Sequence, residues 1–182
     1  EFPVSADGTF AGDGFHYEGD FELDVPAPED LDEELLIRAY RTMLLSRRLD
    51  EKMLTMLKQG RGHFHIGCAG HEAAQMAAGL HLRAGHDRIV PYYRDLCVSL
   101  AMGETTEDIM LSHLAKNDDP NSGGRQMPEH YSRPELGIFS GCSAVAAQYL
   151  PALGFGMALN RRGDDGVVYC SSGEGATSQG AF

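Results

Sequence analysis

Apolar residues recur at helical spacing over the longest patterned stretch of the chain. Between residues 30 and 59, Leu35, Leu36, Ala39, Tyr40, Met43, Leu44, Met53, Leu54 and Leu57 largely fall on helical spacing, which predicts one long helix. Asp30, with Glu33 three residues on, has the form of an N-terminal capping box. Gly60 is placed to end the helix at C′. Residues 71–82 predict a second helix of mostly small residues, including Ala73, Ala74, Ala77, Ala78 and Gly79, suited to close packing. Residues 87–92 predict a short strand and residues 96–102 a short apolar helix. Thr105 with Asp108 opens another helix that runs to Leu114.

The second half is more broken. Residues 116–136 are polar and rich in turn formers, as expected of a functional or disordered loop. Residues 144–159 predict a small-residue helix interrupted early by Pro151. Val167, Val168, Tyr169 and Cys170 predict a strand that empties into Gly173-Glu174-Gly175 and the start of a further helix. Helices alternating with short strands place the fold in the α/β class. Ligands of open α/β sheets bind at the carboxyl ends of strands, so residues 92–94 and 173–175 are the places to look.

Composition narrows the function without naming it. With 182 residues, 42% of them hydrophobic and 23% charged, the chain can form one globular domain with a core. A formal net charge of −12 argues against binding nucleic acid or an anionic membrane. Acidic residues are frequent near the N-terminus, and residues 1–29 read as an acidic, flexible arm ahead of a domain over residues 30–182. Cys68, Cys97, Cys142 and Cys170 are widely spaced without a CxxC, which predicts free buried thiols in a reducing compartment. Neither an apolar run of spanning length nor a secretory leader is visible. The expected location is cytoplasmic, or the mitochondrial matrix in a eukaryote.

Four groups of residues carry candidate chemistry. Gly173-Glu174-Gly175 joins a strand to a helix start; its glycines allow close backbone approach and its carboxylate is a hard ligand for a divalent cation. The alternative is an ordinary strand-to-helix turn. In Tyr92-Tyr93-Arg94-Asp95, Arg94 offers a planar fork for phosphate, or pairs with Asp95 at the surface. His130 is a candidate proton donor or oxyanion partner, and Met127 beside it could line an apolar pocket. His63, His65 and His71 look superficially like metal ligands, but their spacing fits no named zinc motif. Arg47 and Arg48 read as a solvated or interface patch.

Taken in order, Gly70-His71-Glu72-Ala73-Ala74-Gln75, Pro91-Tyr92-Tyr93-Arg94-Asp95, Gly124-Arg125-Gln126-Met127-Pro128-Glu129-His130, Ser143 with Gln148, and Gly173-Glu174-Gly175-Ala176-Thr177-Ser178 resemble a known family. It is the alpha subunit of the thiamine-diphosphate-dependent decarboxylating component of 2-oxo acid dehydrogenase complexes, with the branched-chain (2-oxoisovalerate) type most similar. The resemblance covers roughly residues 31–182. It implies a thiamine-diphosphate-binding fold, a parallel sheet flanked by helices. It implies that Tyr92, Tyr93 and Arg94 contact the cofactor and that Ser143, Ala144 and Val145 lie against its rings. Gly173, Glu174, Gly175, Ala176, Thr177, Ser178 and Gln179 would hold the diphosphate, with Glu174 a Mg²⁺ ligand. Phe64, Tyr93, Met127, Pro128, Glu129 and His130 would line the 2-oxo acid site, with His130 and Tyr93 the catalytic pair. The implied partners are a beta subunit, in an alpha2–beta2 assembly or fused, and a lipoyl acyltransferase core.

Three features depart from the family pattern. Glu174 stands where most thiamine-diphosphate enzymes have Asp. Cys142 and Ala147 replace hydroxyl residues thought to bind a structural potassium, although Gln148 remains. Ala144 replaces a usual Pro. The family's second Mg²⁺ ligand and a further phosphate-binding His lie beyond Phe182, so the fold is expected to be incomplete at the C-terminus and the chain inactive alone. Rival readings are the pyruvate or acetoin version of the same subunit, and a non-catalytic scaffold of the same fold.

Overall fold

Helix α1 (Glu33–Lys58) runs 26 residues and opens the region that the computed structural model describes, residues 32–182. The expected acidic arm and the cap at Asp30 lie outside the described residues. The buried positions of α1 are Ser46, Leu49, Asp50, Met53 and Met56, one face at helical spacing. They all belong to its second half. Leu36, Ile37, Tyr40, Leu44 and Leu45 of the first half are exposed, so the apolar pattern there is not spent on the core of the described residues.

Helix α2 (Glu72–His81) packs on α3 (Leu96–Met102) and on α1. Its small residues allow the close approach: a Cβ added to Gly79 would sit 2.5 Å from that of Ala101. Helix α4 (Thr106–His113) starts at the expected capping box, in which Asp108 N–H donates to Thr105 Oγ1 and Thr105 N–H to Asp108 Oδ2. The core cluster joins Leu49 and Met53 of α1, Leu96, Val98 and Met102 of α3, Ile109 of α4, and Ile89, Tyr131 and Ile138.

Strands β1 (Arg88–Val90) and β2 (Val168–Cys170) pair in parallel, with Arg88 opposite Val168 and Val90 opposite Cys170. The fold is therefore α/β with a short parallel sheet, each strand shorter than its apolar run. Helix α5 (Tyr149–Arg162) packs on both strands, as parallel crossovers require. It begins at Tyr149, not at residue 144 as expected. Ala146 has φ +67°, outside the helical region, and Pro151 is tolerated because it falls in the first turn, where no N–H partner is needed. The helix continues past the expected end to Arg162 and closes on Gly163 in a left-handed conformation.

Two buried aspartates fasten the two ends of the sheet. At the amino ends, fully buried Asp87 accepts hydrogen bonds from Val167 N–H (2.9 Å), Arg83 N–H (2.7 Å) and the Arg83 guanidinium (3.0 Å). At the carboxyl ends, Asp95 accepts from Tyr92 N–H (3.0 Å), Gln75 Nε2 (3.3 Å) and the Ser171 hydroxyl. Asp95 does not pair with Arg94, contrary to the simpler surface reading of that dipeptide; its carboxylate is taken up inside the fold.

The polar stretch over residues 116–136 is organised by side chains rather than structureless. The Asp119 carboxylate accepts from Asn121 N–H, Ser122 N–H, Ser122 Oγ and Gly124 N–H at 2.8–3.2 Å. Asn121 Oδ1 in turn accepts Ser132 N–H at 2.6 Å. After β2 the chain forms a 3-10 turn, Glu174–Ser178, in place of the expected α-helix start. All four cysteines are free; Cys68 and Cys97 are buried, but Cys142 is exposed, unlike the buried thiol expected.

Candidate functional site

Because β1 and β2 are parallel and in register, their carboxyl ends open side by side. A cavity of about 400 Å³ lies there. Its walls come from three segments: Pro91–Arg94 after β1, Cys142–Ala146 with Gln148 before α5, and Gly173–Ala176 after β2, with His71 from the start of α2. Four stretches far apart in sequence thus meet at one place.

The β1 side is a layered set of donors. Tyr92 Oη donates to Tyr93 Oη at 2.9 Å, and their rings lie 4.1 Å apart. Arg94 Nε donates to Tyr92 Oη at 3.3 Å and Arg94 Nη1 to the Gly67 carbonyl at 2.8 Å, while its guanidinium carbon lies 5.5 Å from the centre of the Tyr93 ring. These contacts fix the guanidinium and leave further N–H groups of the fork unspent. Burial, with the Tyr93 hydrogen bond, pushes the Tyr92 phenol up to about 12, so it stays a neutral donor. A Cβ on Gly173 would approach Tyr92 Oη to 3.1 Å; the glycine keeps the turn close to the tyrosines. Glu174 beside it is exposed, available to a cation.

Buried Asp95 lies outside the cavity lining and holds the strand ends that carry it. Burial pushes its carboxyl up to about 6 against the hydrogen bonds from Ser171 and Tyr92, which pull it down. On the α5 side, Gln148 Nε2 donates to the Ser171 carbonyl at 3.0 Å, and Tyr149 Oη pairs with Ser172 Oγ. The loop before α5 is thereby tied to the end of β2.

His130 joins the site through Ser143. Its Nε2 is 2.7 Å from Ser143 Oγ and its Nδ1 3.1 Å from the Pro128 carbonyl. A carbonyl only accepts, so Nδ1 carries a hydrogen, and in the neutral ring Nε2 accepts the Ser143 hydroxyl. The ring stacks on Tyr93 at 6.5 Å.

The predicted residues therefore divide. Tyr92, Tyr93, Arg94, Ser143, Ala144, Val145, Gly173, Glu174, Gly175 and Ala176 line the cavity, and His130 stands behind Ser143. Thr177, Ser178 and Gln179 are exposed and lie outside the lining; Thr177 Oγ1 is spent on the Glu174 carbonyl at 2.7 Å. Phe64, Met127 and Pro128 do not line it either, and Met127 is 44% exposed. Glu129 is not in the lining: its buried side chain accepts Ile66 N–H at 2.9 Å and contacts His65 Nδ1. Sequence reasoning missed His71 as a wall and Asp95 as the buried tie between the two strand ends. The position of Asp95 straight after a strand end was the available signal.

The residues present suit an anionic cofactor with a divalent metal. Arg94 and the tyrosine hydroxyls provide donors, the Gly173 turn leaves room where a side chain would clash, and Glu174 supplies a hard oxygen.

Comparison with known proteins bears on this geometry. Residues 40–182 match the family described as the dehydrogenase E1 component. The chain is 42% identical to the 2-oxoisovalerate dehydrogenase subunit alpha of Bacillus subtilis over 152 residues, covering 84% of this chain and 46% of that one. It is 36% identical over 157 residues to the protein of the same name from Pseudomonas aeruginosa, covering 86% and 38%. It is 33% identical over 154 residues to the pyruvate dehydrogenase E1 component subunit alpha of Staphylococcus aureus, covering 84% and 38%. The chain thus spans less than half the length of these relatives. With the family matched across all three cavity-forming segments, the chain belongs to the dehydrogenase E1 component family.

Proposed function

We propose that this chain forms part of the alpha subunit of a thiamine-diphosphate-dependent component that decarboxylates a branched-chain 2-oxo acid and passes the acyl group to a lipoyl arm. The observation that carries this reading is the convergence of Tyr92, Arg94, Ser143 and the Gly173–Ala176 turn on one cavity. When bound, thiamine diphosphate supplies the electron sink for loss of carbon dioxide. The protein's part is to bind, orient and manage protons.

In this reading Arg94 and Tyr92 hold the diphosphate, and Glu174 is a ligand of its Mg²⁺. Glu is one methylene longer than the Asp usual in such enzymes, and its place on an exposed turn accommodates that length. Ser143, held by His130, presents a hydroxyl to the cavity. With its single O–H directed at His130 Nε2, Ser143 Oγ faces the cavity as an acceptor, and His130 is placed to take the hydroxyl proton when Oγ receives one from a bound substrate. Tyr93, stacked on His130, limits how that ring can move. The exposed apolar residues of α5, Leu150, Leu153 and Met157, each at least 60% exposed, support an interface with a partner subunit. Among the described residues no helix is long and apolar enough to cross a membrane.

The relation to the Staphylococcus pyruvate dehydrogenase subunit favours a second reading, with pyruvate as substrate. Rates on 2-oxoisovalerate and pyruvate, measured with the intact alpha subunit co-expressed with its beta subunit, separate the two. A higher kcat/KM on 2-oxoisovalerate is expected; a clear preference for pyruvate rejects the branched-chain assignment. One methylene in an apolar pocket discriminates by only about 1–3 kcal/mol, so activity on both is compatible with either ranking.

Cofactor titration of the same assembly tests whether the fold is a scaffold. Arg94→Ala is expected to raise the Kd for thiamine diphosphate by about 10–150-fold, the loss of about 1.5–3 kcal/mol for a hydrogen bond to a charged group. Equal binding by wild type and variant would remove Arg94 from the site. No binding by either would favour a non-catalytic module.

A further inference from the structure

Outside the cavity, three titratable side chains from distant parts of the chain converge in the interior. Atoms of His65, His113 and Glu129 able to ligate a metal all lie within 4.8 Å of one another. His65 comes from the loop between α1 and α2, His113 from the last turn of α4, and Glu129 from the segment just before His130. The side chains of His65 and Glu129 are 2% and 4% exposed, and His113 is 1% exposed. Neither ring nitrogen of His113 has a hydrogen-bond partner. An imidazole buried with both nitrogens unpartnered is costly, and this one faces a second histidine at 6.0 Å between ring centres, edge to face.

We propose that His65, His113 and Glu129 bind a zinc-type divalent cation, with a water in the fourth position. Two imidazoles and one carboxylate form a donor set suited to zinc rather than to Mg²⁺ or Ca²⁺, which take oxygen ligands. Tetrahedral zinc holds N and O ligands at about 2.0–2.2 Å, so the three side chains must draw in slightly from their present spacing. The surroundings complete the arrangement. His65 points Nδ1 at Glu129 and Nε2 at Asp50 Oδ1, 3.3 Å away. With the metal taking the Nδ1 side, Asp50 accepts the remaining ring N–H, the carboxylate–histidine–zinc relay that orients a ligand. Asp50 is itself fixed by Cys68 N–H at 2.8 Å, and Glu129 by Ile66 N–H at 2.9 Å. A dication also offsets the two buried negative charges of Asp50 and Glu129.

His63 and His71, the other histidines of the sequence cluster, are not in the group. The ligand set was invisible to motif spacing because two of its three members lie in later elements. The consequence of the metal is local: Glu129 has φ +70°, an uncommon conformation for a residue with a side chain, and the ion would hold it there, one residue before His130.

The test is metal analysis of the intact subunit, purified without chelating tags, loaded with Zn²⁺ and passed through a desalting column. About one zinc per chain is expected for wild type. Co²⁺ in its place is expected to show the visible absorption of a four-coordinate nitrogen–oxygen site. Glu129→Gln, which keeps the shape and the acceptor for Ile66, and His113→Ala are each expected to weaken Zn²⁺ binding by more than about 100-fold, beyond what loss of an outer-shell partner costs. Glu129→Gln with an unchanged melting temperature and full zinc content would overturn the proposal. So would a wild-type protein that retains no zinc, with His65 shown by NMR to be doubly protonated between Asp50 and Glu129.

Discussion

His130→Ala, measured in the assembled enzyme, is expected to lower kcat/KM for the 2-oxo acid by about 10²–10⁴-fold, the range for a positioned proton-transfer group. The ring is held on three sides: by Pro128 through Nδ1, by Ser143 through Nε2 and by Tyr93 through stacking. Alanine removes the acceptor that orients the Ser143 hydroxyl, the group that reaches the cavity. His130 itself does not line the cavity and makes no contact with Arg94 or the Gly173 turn. Cofactor affinity should therefore change far less than turnover. A loss confined to cofactor Kd, with turnover preserved at saturation, would place His130 in cofactor binding rather than proton handling. A change in kcat/KM below about tenfold would remove it from the chemistry.

Asp87→Ala carries the largest expected cost in stability, about 2–6 kcal/mol, at about 1–3 kcal/mol for each of the two backbone donors it leaves unpaired. The substitution strips partners from Val167 N–H, Arg83 N–H and the Arg83 guanidinium together. It also unfastens the amino ends of β1 and β2. Burial alone would raise this carboxyl, but Arg83 and the two backbone donors outweigh it and hold it down at about 2, against an ordinary 3.8. The sign follows from that depression. The folded state prefers the carboxylate, so the stabilisation is fully present above about pH 4 and is lost as pH falls through about 2. The shift corresponds to about 2 kcal/mol. Urea unfolding of wild type and Asp87→Asn at several pH values checks this: the gap between them should be widest at neutral pH and shrink below pH 4. A gap that stays constant down to pH 2 would show that shape, not charge, is what Asp87 contributes.

Neither aspartate stood out along the chain, and the reason is physical. Asp87 and Asp95 act by accepting hydrogen bonds from Val167 and Ser171, partners created only when the strands align. Local signals fared better where the cause was local. The capping box of α4 depends on residues three apart and was readable; so was the packing of α2, because small side chains advertise a close neighbour. The start of α5 was misplaced because Ala144 and Ala147 are good helix formers, while the left-handed turn at Ala146 is set by the cavity wall it belongs to. The Gly173-Glu174-Gly175 stretch was legible as a close turn after a strand from its own composition. What it faces was legible only through the order of the upstream motifs. Glu129 was grouped with Pro128 and His130 because they belong to one recognisable run; its contact with His65, 64 positions away, was not legible there.

The parallel pairing of β1 with β2 also sets a timetable. Arg88 aligns with Val168, so β1 leaves the ribosome well before its partner has been made. At translation speeds of about 5–20 residues per second the wait is roughly 4–16 s. During it, α1 to α4 can assemble, because the contacts of α1, α2, α3 and α4 with one another involve only residues already synthesised. Asp87 and Asp95, however, remain without Val167 and Ser171. The cavity is therefore the last part of this region to close, and a ligand arriving early meets only the Tyr92–Arg94 half. Nascent chains stalled before residue 168 would present an unpaired strand edge, the natural target of a chaperone at the tunnel exit.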